Sequence, residues 1–331
     1  MKDNHKKVAF IIVCWNNIDI VKQCLNSVQS QSYCEKIIYV IDNNSSDGSV
    51  DYIVKNFPDV ILIKSSKNNG FAKGNNILIK EAIKDESIGY FALINSDAVL
   101  DKNWTSEIVN YITDRPRTAA AQGLTLDYFN HDIIDAKYVY VGDNFQSVQS
   151  GYRQKVNNLE IAPKKVFAVN AAAAIYTRAF IVDQKHQTLF DEKFYMYLED
   201  VDVCFRAIVT GWYNYAIPSA RAYHMGSVSS KKRANGYNIK MTFRNQAALL
   251  YKNMPFTVFM KLLPSALKFE VRFYKHLRKN EGEAIRRLAV KGRIIGLIRV
   301  PLYALDRRRI MSKRKISNRR LEEVMRAKGE Y

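Results

Sequence analysis

The most informative stretch of this sequence places three carboxylates in front of an apolar helical pattern. It reads Phe194-Tyr-Met-Tyr-Leu-Glu-Asp-Val-Asp-Val-Cys-Phe-Arg-Ala-Ile-Val-Thr-Gly-Trp212. Behind Glu199, Asp200 and Asp202, apolar residues recur three and four positions apart, and Gly211 follows where a helix would end. The pattern predicts a helix that is anchored in a core and carries the carboxylates at its N-terminal tip.

Two interpretations of these acids are open. The positive end of a helix dipole keeps acids ionised, so acids are common in first turns for structural reasons alone. On spacing alone this structural interpretation is the stronger one. An ionised carboxylate on a rigid mount is also what a general base needs in order to remove a proton from a hydroxyl group.

Upstream of this stretch, residues 1–100 alternate apolar strands with helices. The predicted strands are residues 8–14, 36–41, 60–64 and 90–94, and the predicted helices are residues 18–31, 45–56 and 73–84. Continuous apolar strands between helices are typical of a parallel sheet that is covered on both faces. The sequence therefore predicts an α/β, Rossmann-like fold with a mainly parallel sheet and flanking helices.

Small polar residues follow three of these strands. Asn16 follows the first strand, Asp42 the second, and Asn95, Ser96 and Asp97 the fourth. In open parallel sheets, ligands bind beyond the carboxyl ends of the strands. Polar residues at the end of any one strand are typical of an ordinary turn. Their presence at the ends of three strands favours a binding site along one edge of the sheet.

Two further residues are candidate metal ligands or phosphate contacts. A carboxylate at the position of Asp97 can hold Mg²⁺ or Mn²⁺ together with phosphate oxygens, although a turn acid is an equal alternative. His224 is a candidate metal ligand or donor to a diphosphate, although a lone histidine is more often structural.

A glycine-containing segment leads into the third predicted helix. Its backbone and the side chains of Asn69, Lys73 and Asn75, together with Gly70, are candidate contacts for a phosphate or ribose. The segment lacks the ending of a P-loop, and no glycine-rich dinucleotide fingerprint follows the first strand. These absences argue against a nicotinamide-dependent dehydrogenase.

Later segments are less regular. Residues 117–125 and 164–178 are predicted strands, and residues 213–218 form another. Residues 127–162, rich in Tyr, Asn and Asp, are predicted to be irregular, either as an acceptor-binding loop region or as a peripheral insertion.

The charge of the chain is strongly positive and uneven. Of 331 residues with a formal net charge of +19, residues 261–331 hold 21 Lys and Arg against 7 Asp and Glu. Residues 256–277 and 284–305 mix these cations with Phe, Leu and Ile, which is typical of basic amphipathic helices at anionic membranes. Packing of the apolar faces on the rest of the protein, oligomerisation and nucleic-acid binding are the alternatives, and no nucleic-acid-binding module is present.

The order of the motifs resembles that of family 2 inverting glycosyltransferases with the GT-A fold, and within them the rhamnosyltransferase-like branch. The matching motifs are Ile12-Val-Cys-Trp-Asn16, Val40-Ile-Asp-Asn-Asn-Ser-Ser-Asp-Gly48, Asn69-Gly-Phe-Ala-x-Gly-Asn-Asn76, Leu93-Ile-Asn-Ser-Asp97, Asp191-Glu-x-Phe-Tyr-Met-Tyr-x-Glu-Asp-Val-Asp202, His224 and Arg244-Asn245. The resemblance covers nearly the whole chain, and its motifs are specific to the family rather than to a donor sugar.

The resemblance implies roles for individual residues. Asp42 resembles the acid that contacts the donor's pyrimidine base, and Asp97 resembles the last residue of the DxD motif that binds Mg²⁺ or Mn²⁺. His224 resembles the histidine that helps hold the metal or diphosphate, and Asp200 resembles the catalytic base, with Glu199 beside it. The chain departs from the family at Asn95, where the first acid of the DxD motif is replaced.

The resemblance also implies a domain organisation and a function. We expect a GT-A domain over residues 1–253, with a nucleotide half over about 1–100 and an acceptor half over about 101–253, and a basic helical tail over residues 254–331. The implied activity is transfer of L-rhamnose from dTDP-rhamnose to a glycan or lipid-linked glycan. A UDP-hexose or UDP-galactofuranose donor is the alternative. No transmembrane segment or signal peptide is predicted, so a cytoplasmic, peripheral membrane location without a nucleic-acid partner is expected.

Overall fold

The computed structural model describes residues 6–156, 162–184, 188–226 and 236–330. Strands and helices alternate in the first part of the chain, as predicted. The elements are β1 Lys7–Cys14, α1 Ile18–Gln29, β2 Lys36–Asp42, α2 Ser49–Asn56, β3 Ile61–Lys64, α3 Gly70–Ala82, β4 Ile88–Asn95, β5 Ala98–Leu100 and α4 Trp104–Ile112.

Short strands and then helices make up the remainder. They are β6 Thr118–Asp127, β7 Ile134–Ala136, β8 Val139–Val141, β9 Ser147–Gln149, β10 Lys164–Val166, β11 Ala173–Thr177, α5 Arg178–Asp183, α6 Glu199–Val209, β12 Tyr213–His224, α7 Tyr237–Asn253, α8 Phe256–Asn280, α9 Glu283–Arg299, α10 Ala304–Ser312 and α11 Asn318–Arg326. Single 3₁₀ turns occupy Glu192–Phe194 and Val300–Tyr303.

One mixed sheet organises the described part of the chain. Its main path runs β10-β12-β6-β11-β4-β1-β2-β3, and β5 and β7 pair with β12 and β6. β3, β2, β1 and β4 are mutually parallel, as are β6 and β12, whereas β11 runs antiparallel between β4 and β6. The predicted α/β class with a mainly parallel sheet is confirmed, and a helical region follows it toward the C-terminus.

Strand β1 shows why the sheet must be covered on both faces. Val8, Phe10 and Ile12 pack in the hydrophobic cluster that contains α1 and α4, whereas Ala9 and Ile11 pack in the cluster that contains α3 and α6. Side chains alternate across a strand, so a continuous apolar run is buried only when helices cover both faces.

Three predicted boundaries were wrong. The predicted strand over residues 164–178 breaks between β10 and β11, because side-chain oxygens take the backbone N–H groups of residues 170–172 instead of a neighbouring strand. The predicted strand over residues 213–218 continues to His224, since the register with β6 shifts between Ile217 and Arg221, which absorbs the proline at position 218. Helix α3 begins at Gly70 rather than at Lys73.

The segment predicted to be irregular contains short strands. β7 extends the main sheet beside β6, and β8 and β9 form a separate two-stranded sheet. The prediction for residues 127–162 was therefore wrong for these strands, while residues 157–161 lie outside the described part. Two-stranded pairs this short are held by side-chain packing, which a search for long apolar runs does not detect.

The C-terminal helices pack on the rest of the protein by one face. Val258, Leu262 and Ala266 of α8 belong to the same core cluster as α6. Helix α9 lies directly against α7, where Gly292 and Gly296 leave no room for a Cβ atom beside the carbonyl oxygens of Lys240 and Arg244. The interpretation in which the tail packs through its apolar faces is therefore correct for part of the apolar surface.

A second apolar stripe on these helices remains exposed. It comprises Phe256, Met260, Leu267 and Val271 on α8, Ile294, Leu297 and Ile298 on α9, and Leu302 and Leu305 beyond it. In the ranges that the structure describes, no helix combines the length and the hydrophobicity needed to cross a bilayer.

Candidate active site

A cleft of about 430 Å³ opens beyond the carboxyl ends of β1 and β4. Trp15 and Asn43 line it after β1 and β2, and Asn95, Ser96 and Asp97 line it after β4. The opposite side is formed by the segment leading into α6 and by residues of α7 and β9. The binding edge that the polar strand ends predicted is therefore an open cleft in the folded protein.

Asp97 and His224 line this cleft, and a second acid, Asp135, contacts the other ring nitrogen of the histidine from behind it. His224 Nε2 lies 3.3 Å from Asp97 Oδ1, and His224 Nδ1 lies 3.0 Å from Asp135 Oδ2. The three side chains are 10–12% exposed. Burial by itself lowers the pKa of His224, but the hydrogen bonds to Asp135 and Asp97 outweigh it and raise the pKa to about 10.

Three distant parts of the sequence bring these residues together. Asp97 lies in the turn between β4 and β5, and β5 pairs with the end of β12 so that His224 stands opposite Ala98. β7 pairs with β6, which runs parallel to β12, and thereby carries Asp135 to the other ring nitrogen. The position of His224 is thus fixed by the sheet itself rather than by a loop.

The side chains of Asp97 and His224 suit a divalent cation that also binds oxygen atoms of a ligand in the cleft. Asp97 offers a carboxylate oxygen, and His224 offers an imidazole nitrogen once a cation displaces the proton that the two carboxylates hold on the ring. An imidazole ligand suits Mn²⁺ better than Mg²⁺. Within the described ranges, no set of three or more His, Cys, Asp or Glu side chains is able to hold a metal ion alone. A cation held here therefore takes its remaining ligands from water or from phosphate oxygens.

Glu199 and Asp200 begin α6 and line the cleft from the opposite side. Asp200 Oδ2 accepts a hydrogen bond from the Ala171 N–H at 3.2 Å, and Oδ1 accepts one from the Val201 N–H at 2.7 Å. Glu199 is 5% exposed, and its Oε2 has no hydrogen-bond partner within the part of the chain that the structure describes.

The two carboxyl groups differ in how well the protein stabilises their charge. Burial raises the pKa of Asp200 and, together with the Asp200 charge, raises that of Glu199 well above its usual range. The dipole at the start of α6 favours the ionised form of both acids, but desolvation acts on their pKa values in the opposite direction and outweighs it. Asp200 accepts the backbone N–H groups of Ala171 and Val201, and these two hydrogen bonds stabilise its ionised form.

The third acid of the stretch, Asp202, lies in the core. It is fully buried and accepts Lys252 Nζ at 2.8 Å and Asn253 Nδ2 at 2.8 Å. Lys252 also contacts Asp191 at 2.8 Å. This ion-pair network joins the end of α7 to α6 and leaves Asp202 no access to the cleft.

A left-handed turn sets the direction in which α6 starts. Tyr195, Tyr197 and Leu198 have φ angles of 65°, 70° and 67°, a range that residues other than glycine rarely adopt. Asn245 Nδ2 donates to the carbonyl oxygens of Phe194, Met196 and Tyr197 at 3.1, 2.9 and 2.8 Å. One amide from α7 therefore holds the turn that places Glu199 and Asp200.

The same turn is held from the other side by α3. The Tyr195 carbonyl accepts the N–H groups of Phe71 and Ala72 at 2.8 and 3.1 Å. Gly70 has φ of 74°, and a Cβ atom there would collide with the Tyr195 ring and carbonyl. The glycine at this position thus brings α3 against the turn, in addition to lining the cleft.

The remaining predicted ligand contacts divide into two groups. Ser96 lines the cleft and accepts a hydrogen bond from the Asn17 side chain. Five others, Asn16, Asp42, Asn69, Lys73 and Asn75, are not among the residues that line the cleft. Their roles in binding a donor stay predictions.

The polar side chains of this second group mostly support loops near the cleft. Asp42 accepts the Ser45 N–H, Asn16 accepts the Ser46 N–H, and Asn75 donates to the Phe71 carbonyl within α3. Asn69 donates to Ser65 Oγ at 2.7 Å. These contacts stabilise the loops that follow the strands.

Several residues that line the cleft or support its lining escaped the sequence analysis. Asp135 lies in the segment predicted to be irregular, and no local pattern distinguished it from the neighbouring acids. Asn170, Thr242 and Gln149 also line the cleft. Asn245 was noted only as part of a family motif, and its function as a clamp on the turn depends on the packing of α7.

The sequence model of a known family matches this chain from residue 9 to residue 181, and the family is described as Glycosyl transferase family 2. The chain belongs to glycosyl transferase family 2. Rhamnosyltransferase WbbL of Escherichia coli (strain K12) is 23% identical to it over 248 residues, which are 72% of this chain and 91% of WbbL.

Other relatives of this family 2 chain match only a part of it or match its fold alone. The poly-beta-1,6-N-acetyl-D-glucosamine synthase of Staphylococcus aureus (strain MSSA476) is 25% identical over 123 residues, which are 37% of this chain. The chain spans 29% of the length of that synthase. A crystal structure of GalNAc-T7 with UDP, GalNAc and Mn²⁺ matches at a TM-score of 0.59 and 16% identity, over 76% of this chain and 48% of that one. The fold is accordingly of the GT-A type.

Substitution of Asn245 tests the clamp on the left-handed turn. Asn245→Ala removes the donor to three carbonyl groups, and we expect the free energy of unfolding to fall by about 2–3 kcal/mol. Faster amide hydrogen exchange at residues 195–198 is expected as well. Denaturant titration and exchange mass spectrometry measure the two effects.

The matched control for this experiment is Asn238→Ala on the same helix. Asn238 is exposed and hydrogen-bonds only to the neighbouring Ile239 N–H among the contacts described. We expect its substitution to change stability by less than about 0.5 kcal/mol. Equal effects of the two substitutions would show that Asn245 does not hold the turn.

Proposed function

We propose that this family 2 chain is an inverting glycosyltransferase that transfers a sugar from a nucleotide donor in a single displacement. The observation that carries the proposal is the arrangement of the cleft, in which Asp97 and His224 face Asp200 and Glu199 across the same space. We assign the diphosphate of the donor to the side with Asp97 and His224, and the hydroxyl group of the acceptor to the side with Glu199 and Asp200.

Asp200 is the proposed catalytic base. As the acceptor oxygen attacks the anomeric carbon, Asp200 takes the proton of that hydroxyl group while the bond from carbon to the diphosphate oxygen breaks. One displacement without a covalent intermediate inverts the configuration. The raised pKa of Asp200 brings it nearer to the working pH, which strengthens a carboxylate as a base.

Glu199 has a different proposed role. Burial and the neighbouring Asp200 charge raise its pKa well above the usual range, and Oε2 has no hydrogen-bond partner among the described residues, so we assign Glu199 the protonated form beside Asp200. A neutral Glu199 avoids a second negative charge next to the base and offers an O–H donor to the acceptor. We assign it to positioning the acceptor.

Asp97 and His224 are the proposed residues that hold Mg²⁺ or Mn²⁺. When bound, such a cation supplies positive charge next to the departing diphosphate. Asp135 fixes the imidazole by its contact with Nδ1 and so aims Nε2 at the site. Asn95 and Ser96 stand beside Asp97 as polar contacts for the donor.

The proposal also specifies the donor sugar, the extent of the catalytic unit and the acceptor. L-Rhamnose from dTDP-rhamnose is the first choice, because the relative with the larger coverage among those compared is named a rhamnosyltransferase. A UDP-hexose or UDP-galactofuranose is the alternative. We further propose residues 1–253 as the catalytic unit, with Asp42 toward the nucleotide base, and a glycan or lipid-linked glycan as the acceptor.

The exposed stripe on the C-terminal helices is the proposed contact with the cytoplasmic face of a membrane. Aliphatic residues such as Leu267 and Ile298 are exposed between many Lys and Arg residues. Nucleic-acid binding would call for exposed aromatic side chains between the cations, and only Phe256 among the large exposed apolar residues of these helices is aromatic.

Release of a nucleoside diphosphate tests the activity and the metal together. The donors are dTDP-rhamnose, UDP-glucose, UDP-galactose and UDP-galactofuranose, each with Mn²⁺, with Mg²⁺ and with EDTA. We expect turnover of one donor, its loss in EDTA and its recovery on adding metal. Binding of none of these donors would overturn the proposal.

Two variants separate the metal ligand from the residue that supports it. Asp97→Ala removes a ligand, so the affinities for Mn²⁺ and for the nucleoside diphosphate should fall together. Asp135→Asn keeps both ligands and should weaken Mn²⁺ binding by a smaller factor, about tenfold. Unchanged Mn²⁺ affinity in Asp97→Ala, measured by calorimetry, would exclude Asp97 as a ligand.

A pair of isosteric substitutions tests which carboxyl group is the catalytic base and which one positions the acceptor. Asp200→Asn should lower the transfer rate by about 10²–10⁴ while leaving donor binding intact. Glu199→Gln imitates the neutral form and should cost less than about tenfold. The base works only when ionised, so the wild-type rate should fall at acidic pH with a midpoint above the ordinary aspartate range. A larger loss in Glu199→Gln than in Asp200→Asn would reverse the assignment.

Vesicle co-sedimentation tests the membrane contact. We expect binding to vesicles that contain anionic lipid, weaker binding at high salt, and a loss of binding in the double variant Ile298→Asp and Leu302→Asp, since both side chains are exposed. Equal recovery of the protein with neutral and anionic vesicles would contradict the electrostatic part of the proposal.

A further inference from the structure

The turn between β4 and β5, which carries Asp97, is held by helix α1. Cys24 Sγ donates to the Asn95 carbonyl oxygen at 3.5 Å, and Ser27 Oγ accepts the Leu100 N–H at 3.1 Å. Residues three positions apart lie on the same face of a helix, so one face of α1 contacts both ends of the turn. No residue of α1 is among those that line the cleft, and the helix therefore acts on the cleft through this turn.

Asn17, immediately before α1, contacts the middle residue of the same turn. Its Nδ2 donates to Ser96 Oγ, and both side chains are buried. Ser96 lines the cleft, whereas Asn17 is not among the lining residues. The amide of Asn17 is thus placed to act on a ligand in the cleft through the hydroxyl group of Ser96.

The hydrogen bonds of Asn17 run in one direction. Cys14 Sγ donates to Asn17 Oδ1 at 2.8 Å. Burial raises the pKa of the Cys14 thiol to about 12, so the thiol keeps the proton that it donates. Asn17 donates in turn to Ser96. A side-chain amide suits this place because it carries an acceptor and a donor on the same carbon atom.

The direction of these bonds determines what Ser96 offers to a ligand. A hydroxyl group has one proton and two lone pairs, and the Asn17 amide occupies one of the lone pairs. The proton of Ser96 therefore points away from Asn17. In the part of the chain that the structure describes, the Ser96 hydroxyl donates to no other side chain or carbonyl group. Its proton is available to an oxygen atom of a ligand in the cleft.

We propose that Asn17 is a positioning residue for donor binding, which holds Ser96 so that its hydroxyl group donates to a phosphate oxygen of the nucleotide beside Asp97. The inference rests on the proposed function, since it concerns the side of the cleft to which the donor diphosphate is assigned. Hydrogen bonds that follow one another in the same direction polarise each other. An ionised phosphate oxygen is the acceptor that gains most from such a donor.

Titration calorimetry of the full chain with UDP and with dTDP, each in the presence of Mn²⁺, tests this inference. Asn17→Ala removes the donor to Ser96, and we expect nucleotide affinity to fall by about tenfold, because a hydrogen bond to a charged group is weakened. Asn17→Leu keeps nearly the same volume without a hydrogen-bonding group, so it is the second variant if Asn17→Ala does not fold. Unchanged affinity in a folded variant would overturn the inference.

The matched control is Ser27→Ala on the neighbouring helix. Ser27 is buried as well, but it holds Leu100 rather than Ser96. We expect its substitution to lower the free energy of unfolding about as much as Asn17→Ala does, and to change nucleotide affinity by less than about threefold. Equal losses of affinity in the two variants would show that Asn17 acts only through the stability of the fold.

A double-mutant cycle shows whether Asn17 acts through Ser96. In that case, the double variant of Asn17→Ala and Ser96→Ala should bind the nucleotide about as tightly as Ser96→Ala alone, because the second substitution has nothing left to remove. Losses of affinity that add up would mean that Asn17 supports the site by another route, which contradicts the inference.

Asp97→Ala, measured in the same way, separates this inference from the proposed function. If Asp97→Ala weakens nucleotide binding and Asn17→Ala does not, the inference on Asn17 fails and the proposed function stands. If the wild-type chain binds neither UDP nor dTDP with Mn²⁺, the proposed function and the inference fail together.

Discussion

The clamp of Asn245 on the left-handed turn before α6 is the constraint on which the site depends. The carbonyl groups of Phe194, Met196 and Tyr197 converge on this one amide, and three residues of the turn that carry side chains adopt a conformation that costs roughly 1–3 kcal/mol each. The turn persists because one amide side chain satisfies the carbonyls, while α3 supplies two further N–H groups to the turn. Without this arrangement, α6 would start in another direction and its two leading acids would leave the cleft.

The clamp also links the C-terminal helices to the active site. Asn245 belongs to α7, which is fixed to α6 through the buried contacts of Lys252 with Asp191 and Asp202. Helix α9 then packs on α7 at two glycines. A chain of direct contacts thus runs from the membrane-facing helices of the proposal to the carboxylates, so these helices help to hold the geometry of the cleft.

The cleft and the C-terminal surface differ in the sign of their charge. The wall with Asp97, His224 and Asp135 is acidic overall and suits a cation with a diphosphate, whereas the C-terminal surface is basic and suits anionic lipid. Helix α7 lies between these surfaces, since it contributes Thr242 to the polar cleft and Gln246 to an apolar groove beside the C-terminal helices.

The sequence by itself determined the parallel sheet, the edge of the sheet at which the cleft opens and the helix that carries Glu199 and Asp200, because apolar periodicity and strand-end chemistry are local properties. Only the tertiary structure decided that Asp202 is buried in an ion pair, that Asp135 meets His224, and that Asn245 holds the turn. These contacts join residues 48 to 89 positions apart in the sequence, and no local pattern encodes them. The same holds for the carboxyl pKa values, since desolvation depends on the elements that close over the site.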